Sequence, residues 1–211
     1  MELLCFNTLE STQTYLLNEL KEKRLSSPIC VVAKEQTAGI GSRENSWDGG
    51  KGNLFFSLAI SIDDLPSDLP LTSSSIYFSY IMKKVLSEYS ENIWVKWPND
   101  LYKNKSKIGG TITKKHDNIL LCGMGINLQK NLNGFKSLNI NVEAITLLKL
   151  YLNELKKYPS WKQVFSQYRI EFERSKGYFT HVEGELKSLE NAILSEDGSL
   201  IIENKRVYSI R

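Results

Sequence analysis

Four short motifs combine glycine with charged, amide or aromatic side chains, the residue types that bind anionic and polar ligands. The first is residues 38–47 (AGIGSRENSW), where Gly39-Ile40-Gly41 precedes Arg43 and Trp47. A Gly-x-Gly segment lets backbone amides approach a ligand, and arginine adds a charge suited to phosphate or carboxylate. Trp47 offers a face on which a nucleotide base can stack. The motif is typical of an anion- or nucleotide-binding loop; a solvated surface loop is the structural alternative.

Two further motifs place a lysine beside a turn or beside paired glycines. In residues 95–101 (VKWPNDL), Pro98 fixes a turn that projects Asn99 and Asp100 from a rigid scaffold. Asp100 could hold a cation or a ribose hydroxyl, although plain type I turns use the same residue types. In Lys107-Ile108-Gly109-Gly110, a ligand could lie against the backbone while the lysine ammonium points at it. A basic turn with a bulge is the alternative there.

The fourth motif, Gly123-Met124-Gly125-Ile126-Asn127, ends an apolar run. Glycines at the end of a strand are typical of the crevice in which α/β proteins bind ligands, although Gly-x-Gly alone is weak evidence.

The chain has only two histidines and neither a CxxC nor an HExxH pattern, which argues against a zinc site. His116 stands near a predicted hairpin tip and is interpreted as a solvated turn residue.

Strands and helices must position these motifs, and their periodicities are visible in the sequence. The patterns predict strands at residues 3–6, 29–33, 53–61 and 93–96 and a hairpin of residues 107–113 and 118–123. They predict a helix capped at Glu10-Ser11-Thr12, a helix over 73–88 and two helices within 143–173. Residues 37–52 show neither period and predict a long loop. From about residue 177, short strands at 185–188, 192–195, 200–203 and 207–210 predict a small β-barrel-like module.

Length and composition exclude several classes of protein. A chain of 211 residues forms one domain, or one domain with a small appendage, and its 41% apolar and 24% charged residues are ordinary for a globular protein. No apolar run reaches the roughly 18 residues of a membrane span, and the first residues lack a signal-peptide pattern. The net charge of +3 is too small to argue for nucleic-acid binding. The odd set of cysteines, Cys5, Cys30 and Cys122, lies among apolar neighbours, which predicts buried thiols in a reducing cytoplasm.

Taken together and in order, the four motifs resemble the biotin protein ligases. The most specific match is KWPNDLY at 96–102, followed by the Lys107–Gly110 strand and Gly123-x-Gly-Ile-Asn127. Glu10-Ser11-Thr12-Gln13 and Gln36 are similar to that family's biotin contacts. The resemblance runs from about Leu3 to Leu128, with a looser match at Glu196–Leu200.

The resemblance implies a fold and a reaction. The fold is α/β (α+β): a mixed central sheet with flanking helices, related to class II aminoacyl-tRNA synthetases, over residues 1–174, and an SH3-like β domain over 175–211. The reaction joins biotin and ATP, with Mg²⁺, into biotinyl-5′-AMP and pyrophosphate. Biotin then passes to a lysine of a biotin carboxyl carrier protein, of acetyl-CoA carboxylase or a related carboxylase. A cytoplasmic monomer or homodimer that binds neither nucleic acid nor membrane is expected.

The resemblance also implies roles for individual residues. Lys107, Asp100 and Arg43 are expected to be catalytic, with Lys107 bridging the biotin carboxyl and the α-phosphate. The residues expected to bind biotin are Ser11, Thr12, Gln13, Gln36, Gly39, Gly41, Ser42, Lys107 and Gly110. The residues expected to bind the nucleotide are Arg43, Trp47, Lys96, Asn99 and Asn127. No protein-held metal is expected.

The chain departs from the family pattern in two places. Where the family loop usually reads Gly-Arg-Gly-Arg, this chain has Gly39-Ile40-Gly41-Ser42, with Arg43 next. Either Arg43 takes the phosphate role from a shifted position, or the intermediate is held less tightly. The chain also starts at the catalytic domain, without the helix-turn-helix of many bacterial members, so repressor activity is not expected.

Two other functions fit parts of the pattern. A lipoate- or octanoate-type ligase or transferase would share the scaffold, but octanoyl transferases depend on a catalytic cysteine, and no cysteine here lies in a polar or glycine-rich turn. A non-enzymatic nucleotide-binding module is the third hypothesis. ATP–pyrophosphate exchange that depends on biotin and not on lipoate separates all three.

Overall fold

The computed structural model describes residues 1–42, 46–47, 50–129 and 136–208. Four helices and fourteen strands lie within these residues. In chain order they are β1 Glu2–Leu9, α1 Thr12–Lys21, β2 Ile29–Gln36, β3 Gly39–Ile40, β4 Ser46–Trp47, β5 Leu54–Ser61, α2 Ser74–Ser87, β6 Ile93–Lys96, β7 Asp100–Lys103, β8 Ser106–His116, β9 Ile119–Ile126, α3 Ala144–Leu155, α4 Trp161–Glu171, β10 Phe179–Val182, β11 Glu185–Ser188, β12 Ile193–Leu194, β13 Leu200–Ile202 and β14 Lys205–Val207. Short 3-10 helices occupy Ile62–Asp64, Leu71–Ser73 and Phe172–Ser175.

A seven-stranded mixed sheet forms the centre, in the order β1-β2-β5-β9-β8-β7-β6. β1 and β2 are parallel because α1 connects them, and every other neighbouring pair is antiparallel. Both faces of the sheet are covered, so alternate residues of β2 enter different cores. Ile29 and Val31 pack with Leu16 of α1, whereas Cys30 and Val32 belong to the larger core on the opposite face, which α2, α3 and α4 help to form. The predicted fold class is confirmed.

Helix ends agree with the sequence signals. Ser11 caps α1 by accepting a hydrogen bond from the Thr14 amide, as the Glu10-Ser11-Thr12 pattern predicts. Ser160 and Gln163 form a capping box at the start of α4. The two predicted helices of the 143–173 segment are therefore present.

The strands show three differences from the predictions. β7 was not predicted as a strand because Asp100 follows Pro98 and has the composition of a turn; its pairing on both edges overrides that preference. β3 and β4 pair within the predicted loop 37–52. In the C-terminal region, β10 adds a strand before the first one predicted, and its partner is β11.

The predicted small β region is present at the C-terminal end, as the β10–β11 hairpin and the three-stranded sheet β12-β13-β14. It is joined to the larger core through four buried side chains, Leu189, Ala192, Leu200 and Ile202. The domain boundary at 174/175 remains a prediction.

Cysteine burial differs between the edge and the centre of the sheet. Cys30 and Cys122 are buried on central strands, but Cys5 on the edge strand β1 is exposed, so the prediction of a buried thiol was wrong for Cys5. An edge strand packs against a neighbour on one side only, and apolar neighbours in sequence do not reveal this.

Among the described residues, no helix is long and apolar enough to cross a membrane.

Candidate active site

A cleft of about 380 Å³ is lined by residues of β2, β5, β8 and β9 and by the start of α1. Twelve of the predicted site residues line it: Ser11, Thr12, Gln13, Gln36, Gly41, Ser42, Trp47, Asn99, Asp100, Lys107, Gly110 and Asn127. Residues separated by more than 100 positions in the sequence thus share one cavity. Arg43, expected to be catalytic and to bind the nucleotide, lies outside the described residues.

One end of the cleft has a hydrogen-bonded polar wall. The amide of Thr12 donates to Gln36 Oε1 at 2.8 Å, and the Thr12 hydroxyl lies 3.0 Å from the same oxygen. Ser57 Oγ lies 2.9 Å from Thr12 Oγ1, and both hydroxyl residues are buried. Because Gln36 Oε1 is occupied by Thr12, its Nε2 remains as the donor group for a ligand.

A charged cluster marks the other end of the cleft. Asp100 Oδ1 lies 2.7 Å from the Lys107 ammonium, and Asp100 Oδ2 lies 3.9 Å from the Lys96 ammonium. The strand pairing explains the closer contact, because Asp100 on β7 is opposite Gly110 on β8, three residues after Lys107. Two ammonium groups face one carboxylate, so this trio carries a net charge of about +1. Such a cluster suits an anionic carboxylate or phosphate.

The two lysines have different environments. The Lys107 side chain is 42% exposed and lines the cleft, so it can meet a ligand directly. Lys96 is buried and stands behind Asp100, outside the cleft lining. The predicted contact of Lys96 with the nucleotide stays a prediction; within the structure its ammonium lies 3.9 Å from Asp100 Oδ2.

Trp47 lies across two glycines of the central strands. A Cβ on Gly125 would lie 2.6 Å from the Trp47 indole nitrogen, and one on Gly110 would lie 3.5 Å from the ring. Only glycine at position 125 leaves space for the indole. The Lys107 ammonium lies 5.6 Å from the ring centroid, within the range of a cation–π contact. Trp47 thus forms an aromatic wall beside the charged cluster.

Three other predicted residues have defined contacts. Asn99 Nδ2 donates to the Thr111 carbonyl at 2.6 Å, so this amide ties the turn to β8. Asn127 Nδ2 lies 3.3 Å from the Lys136 carbonyl. Gly39 does not line the cleft; it pairs with Trp47, whose carbonyl would lie 2.6 Å from a Cβ at position 39. Gly39 allows this close backbone approach.

Sequence reasoning missed part of the lining: Ser46, Ser57, Thr111, Ile112 and Met124. Ser57 had a visible signal, since it is the only hydroxyl among the inner residues of β5, LFFSLAIS. A polar side chain in the middle of a buried strand needs a partner or a ligand. Ile112 and Met124 carry no comparable signal, because apolar residues on central strands are ordinary.

Comparison with known protein families identifies the family to which this chain belongs. The biotin/lipoate A/B protein ligase family matches residues 5–131, which include the polar wall, the charged cluster and the glycine-bearing strands. The chain belongs to this family. The resemblance seen in the motifs is confirmed.

Relatives of this family member include bifunctional ligase/repressor proteins and biotin–protein ligases. The ligase/repressor BirA of Escherichia coli K12 is 30% identical over 127 residues, which are 57% of this chain and 38% of the relative. The biotin–protein ligase of Schizosaccharomyces pombe is 30% identical over 158 residues, covering 64% of this chain and 25% of that protein. This chain therefore spans well under half the length of these curated relatives.

Solved structures extend the likeness to nearly the whole chain. A biotin acetyl coenzyme A carboxylase synthetase from Helicobacter pylori, solved with bound biotinylated ATP, is 40% identical with a TM-score of 0.93; the match covers 98% of this chain and 99% of the other. Biotin protein ligase from Aquifex aeolicus, solved with biotin and ATP, has a TM-score of 0.78 at 21% identity, covering 100% and 96% of the two chains. The second likeness shows a shared fold.

Proposed function

We propose that this chain is an ATP-dependent biotin–protein ligase that acts on a biotin carboxyl carrier protein of acetyl-CoA carboxylase or a related carboxylase. The observation that carries the proposal is the pairing, in one cleft, of a polar wall suited to a neutral hydrogen-bonding head group with a net cationic cluster suited to carboxylate and phosphate. The Helicobacter pylori structure, which is 40% identical to this chain, was solved with bound biotinylated ATP, and this supports the assignment.

In the first half-reaction, a biotin carboxylate oxygen attacks the α-phosphorus of ATP, and pyrophosphate leaves. Two anionic groups must approach each other, so their repulsion has to be offset where they meet. Lys107 reaches this position with its exposed ammonium, while Asp100 holds the lysine from behind at 2.7 Å. We assign Lys107 to bridging the carboxylate and the α-phosphate. Mg²⁺ that accompanies ATP would supply further charge compensation at the phosphates.

In the second half-reaction, a carrier lysine amine attacks the acyl carbonyl of biotinyl-5′-AMP and AMP leaves. The attacking nitrogen must lose a proton, and Asp100 is the only carboxylate among the described residues that line the cleft. We assign Asp100 to positioning this amine, and the Trp47 wall to the adenine side of the cleft. Holding both reactants in one geometry removes much of the entropic barrier.

Biotin-dependent exchange of radiolabelled pyrophosphate into ATP tests the proposal. Exchange with biotin and not with lipoate, followed by biotin transfer to a carrier domain, is the expected result. Exchange that requires lipoate would favour the lipoate-type alternative, and nucleotide binding without any exchange would favour the non-enzymatic module. Cytoplasmic location and a monomer or homodimer in solution remain part of the proposal.

A further inference from the structure

Asn53 carries a buried side-chain amide that joins two backbone segments next to the cleft. Its Oδ1 accepts hydrogen bonds from the Leu128 amide at 2.9 Å and from the Gln129 amide at 3.3 Å. Its Nδ2 donates to the Gly50 carbonyl at 3.1 Å. The residue is 3% exposed and does not line the cleft. Any effect of Asn53 on a bound ligand must therefore pass through the backbone that it holds.

The strand register explains why one side chain reaches both segments. The antiparallel pairing of β5 with β9 extends as far as Leu54 and Ile126. Asn53 is the residue before β5, and Asn127 is the residue after β9, so the two chains separate at this point. The Asn53 amide supplies hydrogen bonds where the backbone ladder ends.

One of the two segments carries Asn127, which lines the cleft and is 8% exposed. Its amide donates to the Ile108 carbonyl at 2.7 Å, and its carbonyl accepts from the Leu138 amide at 2.9 Å. Asn53 binds the two amides that directly follow Asn127 in the chain. The position of Asn127 is thus fixed from β8, from Leu138 and from Asn53.

The other segment returns from the aromatic wall to β5. Gly50 lies three residues after Trp47, and its carbonyl is bound by Asn53. Gly52 has a φ of +87°, which lets the chain turn between these residues. A Cβ on Gly52 would lie 2.6 Å from Gln129 Oε1, so the two segments are also in direct contact.

Resting on the proposed function and on the nucleotide contacts expected of Trp47 and Asn127, we propose that Asn53 is a positioning residue for the nucleotide. It keeps the segment that follows Trp47 and the segment that follows Asn127 at a fixed separation. The hydrogen bonds of the polar wall run from Thr12 to Gln36 and to Ser57 and do not involve Asn53. Loss of the Asn53 amide should therefore weaken the nucleotide and not biotin.

The energetic argument is one of preorganisation. Without the Asn53 amide, a nucleotide would have to order both segments when it binds, and that cost reduces its affinity. The Leu128 amide would also lose its acceptor, in a residue that is only 2% exposed. A buried hydrogen-bonding group without a partner corresponds to a loss of affinity on the order of 10-fold to 100-fold.

The test compares two substitutions of similar size. Asn53→Leu removes all three hydrogen bonds, whereas Asn53→Asp keeps the acceptor for the two amides and removes only the donor to Gly50. Asn118→Leu is the control, because the Asn118 amide lies at the opposite end of the β5–β9 pair, 2.6 Å from Asp63 Oδ2. Calorimetry gives the dissociation constants of biotin and of a non-hydrolysable ATP analogue, and pyrophosphate exchange gives kcat and the KM for ATP.

Asn53→Leu is expected to weaken the ATP analogue and to raise the KM for ATP, each on the order of 10-fold to 100-fold, while the dissociation constant of biotin stays near the wild-type value. Asn53→Asp should lose less, because the segment after Asn127 remains bound. Asn118→Leu should leave both dissociation constants unchanged.

Unchanged nucleotide affinity in Asn53→Leu would overturn the proposal, and so would equal losses for biotin and nucleotide, which would indicate general disruption. A loss in Asn53→Asp as large as in Asn53→Leu would also overturn it, since the bonds to the segment after Asn127 would then carry no effect. If Asn53→Leu does not fold, amide hydrogen exchange of the wild type decides: slow exchange at Leu128 and Gln129 supports the proposal, and exchange at the rate of an unprotected amide refutes it. If the wild type shows no biotin-dependent pyrophosphate exchange, the proposed function itself fails, while the dissociation constants still test the role of Asn53.

Discussion

The indole nitrogen of Trp97 donates a hydrogen bond of 2.9 Å to the carbonyl oxygen of Gly198, and the bond is buried. Trp97 precedes the turn that carries Asn99 and Asp100, whereas Gly198 lies between β12 and β13 of the C-terminal region. The neighbouring carbonyls take part as well: that of Asp197 accepts from Ser73, and that of Glu196 accepts from Trp161. The C-terminal region thus supports the turn that forms the charged end of the cleft.

Replacing Trp97 by Phe should therefore impair both stability and activity. The variant leaves the buried Gly198 carbonyl unpaired, which costs about 1–3 kcal/mol in the free energy of unfolding. It also loosens the turn of Asp100, so the rate of biotin transfer should fall. Denaturant unfolding and transfer kinetics measure the two effects.

Trp94→Phe is the matched control for this prediction. Trp94 is equally buried, and its indole donates at 2.8 Å to the carbonyl of Asn104, which follows the end of β7 opposite to Asp100. Because Asn104 is exposed, water can replace the lost hydrogen bond, so Trp94→Phe should lose less stability and the folded variant should keep its turnover. Equal turnover in the two variants would contradict a positioning role for the contact between Trp97 and Gly198.

Lys107→Ala should reduce biotin-dependent pyrophosphate exchange by about 10²- to 10³-fold, because a cation is lost where two anions react. The fold should persist, since the Lys107 side chain is 42% exposed. Lys105→Ala, in the exposed turn before β8, removes a nearby lysine outside the cleft and should leave exchange unchanged. Exchange near the wild-type rate in Lys107→Ala would refute the bridging role.

The sequence predicted the members of the charged cluster but not the way they meet. Lys107 stood out because it precedes paired glycines, and Asp100 because a turn fixed by Pro98 projects it from the scaffold. Their contact depends on β7, which the turn composition around Pro98 concealed. Strand pairing between distant segments decides such contacts, and local propensity does not contain it.

In the polar wall, too, the sequence predicted some of the residues but not how they come together. Thr12 and Gln36 were predicted to bind the head group, and the parallel pairing of β1 with β2 brings them together. Ser57 was missed because residues 53–61 were interpreted only as a strand with few exposed positions, although Ser57 lines the cleft. The C-terminal region was predicted as a module, while the hydrogen bond from Trp97 to its Gly198 carbonyl arises from tertiary packing that no periodicity encodes.

Gly125→Ala should weaken nucleotide binding. The new methyl group would stand 2.6 Å from the Trp47 indole, so the ring must leave its position. Overpacking of this kind costs about 1–3 kcal/mol, and the KM for ATP should rise by roughly 10-fold. Gly177→Ala is the control, because no atom lies within 4 Å of a Cβ at that position. An unchanged KM together with unchanged tryptophan fluorescence would show that Trp47 does not form the nucleotide side of the cleft.

The three cysteines separate the proposed ligase from a transferase that depends on a cysteine. Burial raises the pKa of the Cys30 and Cys122 thiols, so both stay protonated and unreactive at neutral pH, and the effect persists until the pH approaches their raised pKa. Cys5 is exposed on β1, away from the cleft lining.

Iodoacetamide at neutral pH should therefore alkylate only Cys5 in the folded protein, as mass spectrometry of the labelled protein would show. The labelled protein should keep its biotin-dependent pyrophosphate exchange, with the same reagent in denaturant reaching all three thiols as the control. Loss of exchange in step with alkylation of any cysteine would favour cysteine chemistry and count against the ligase mechanism.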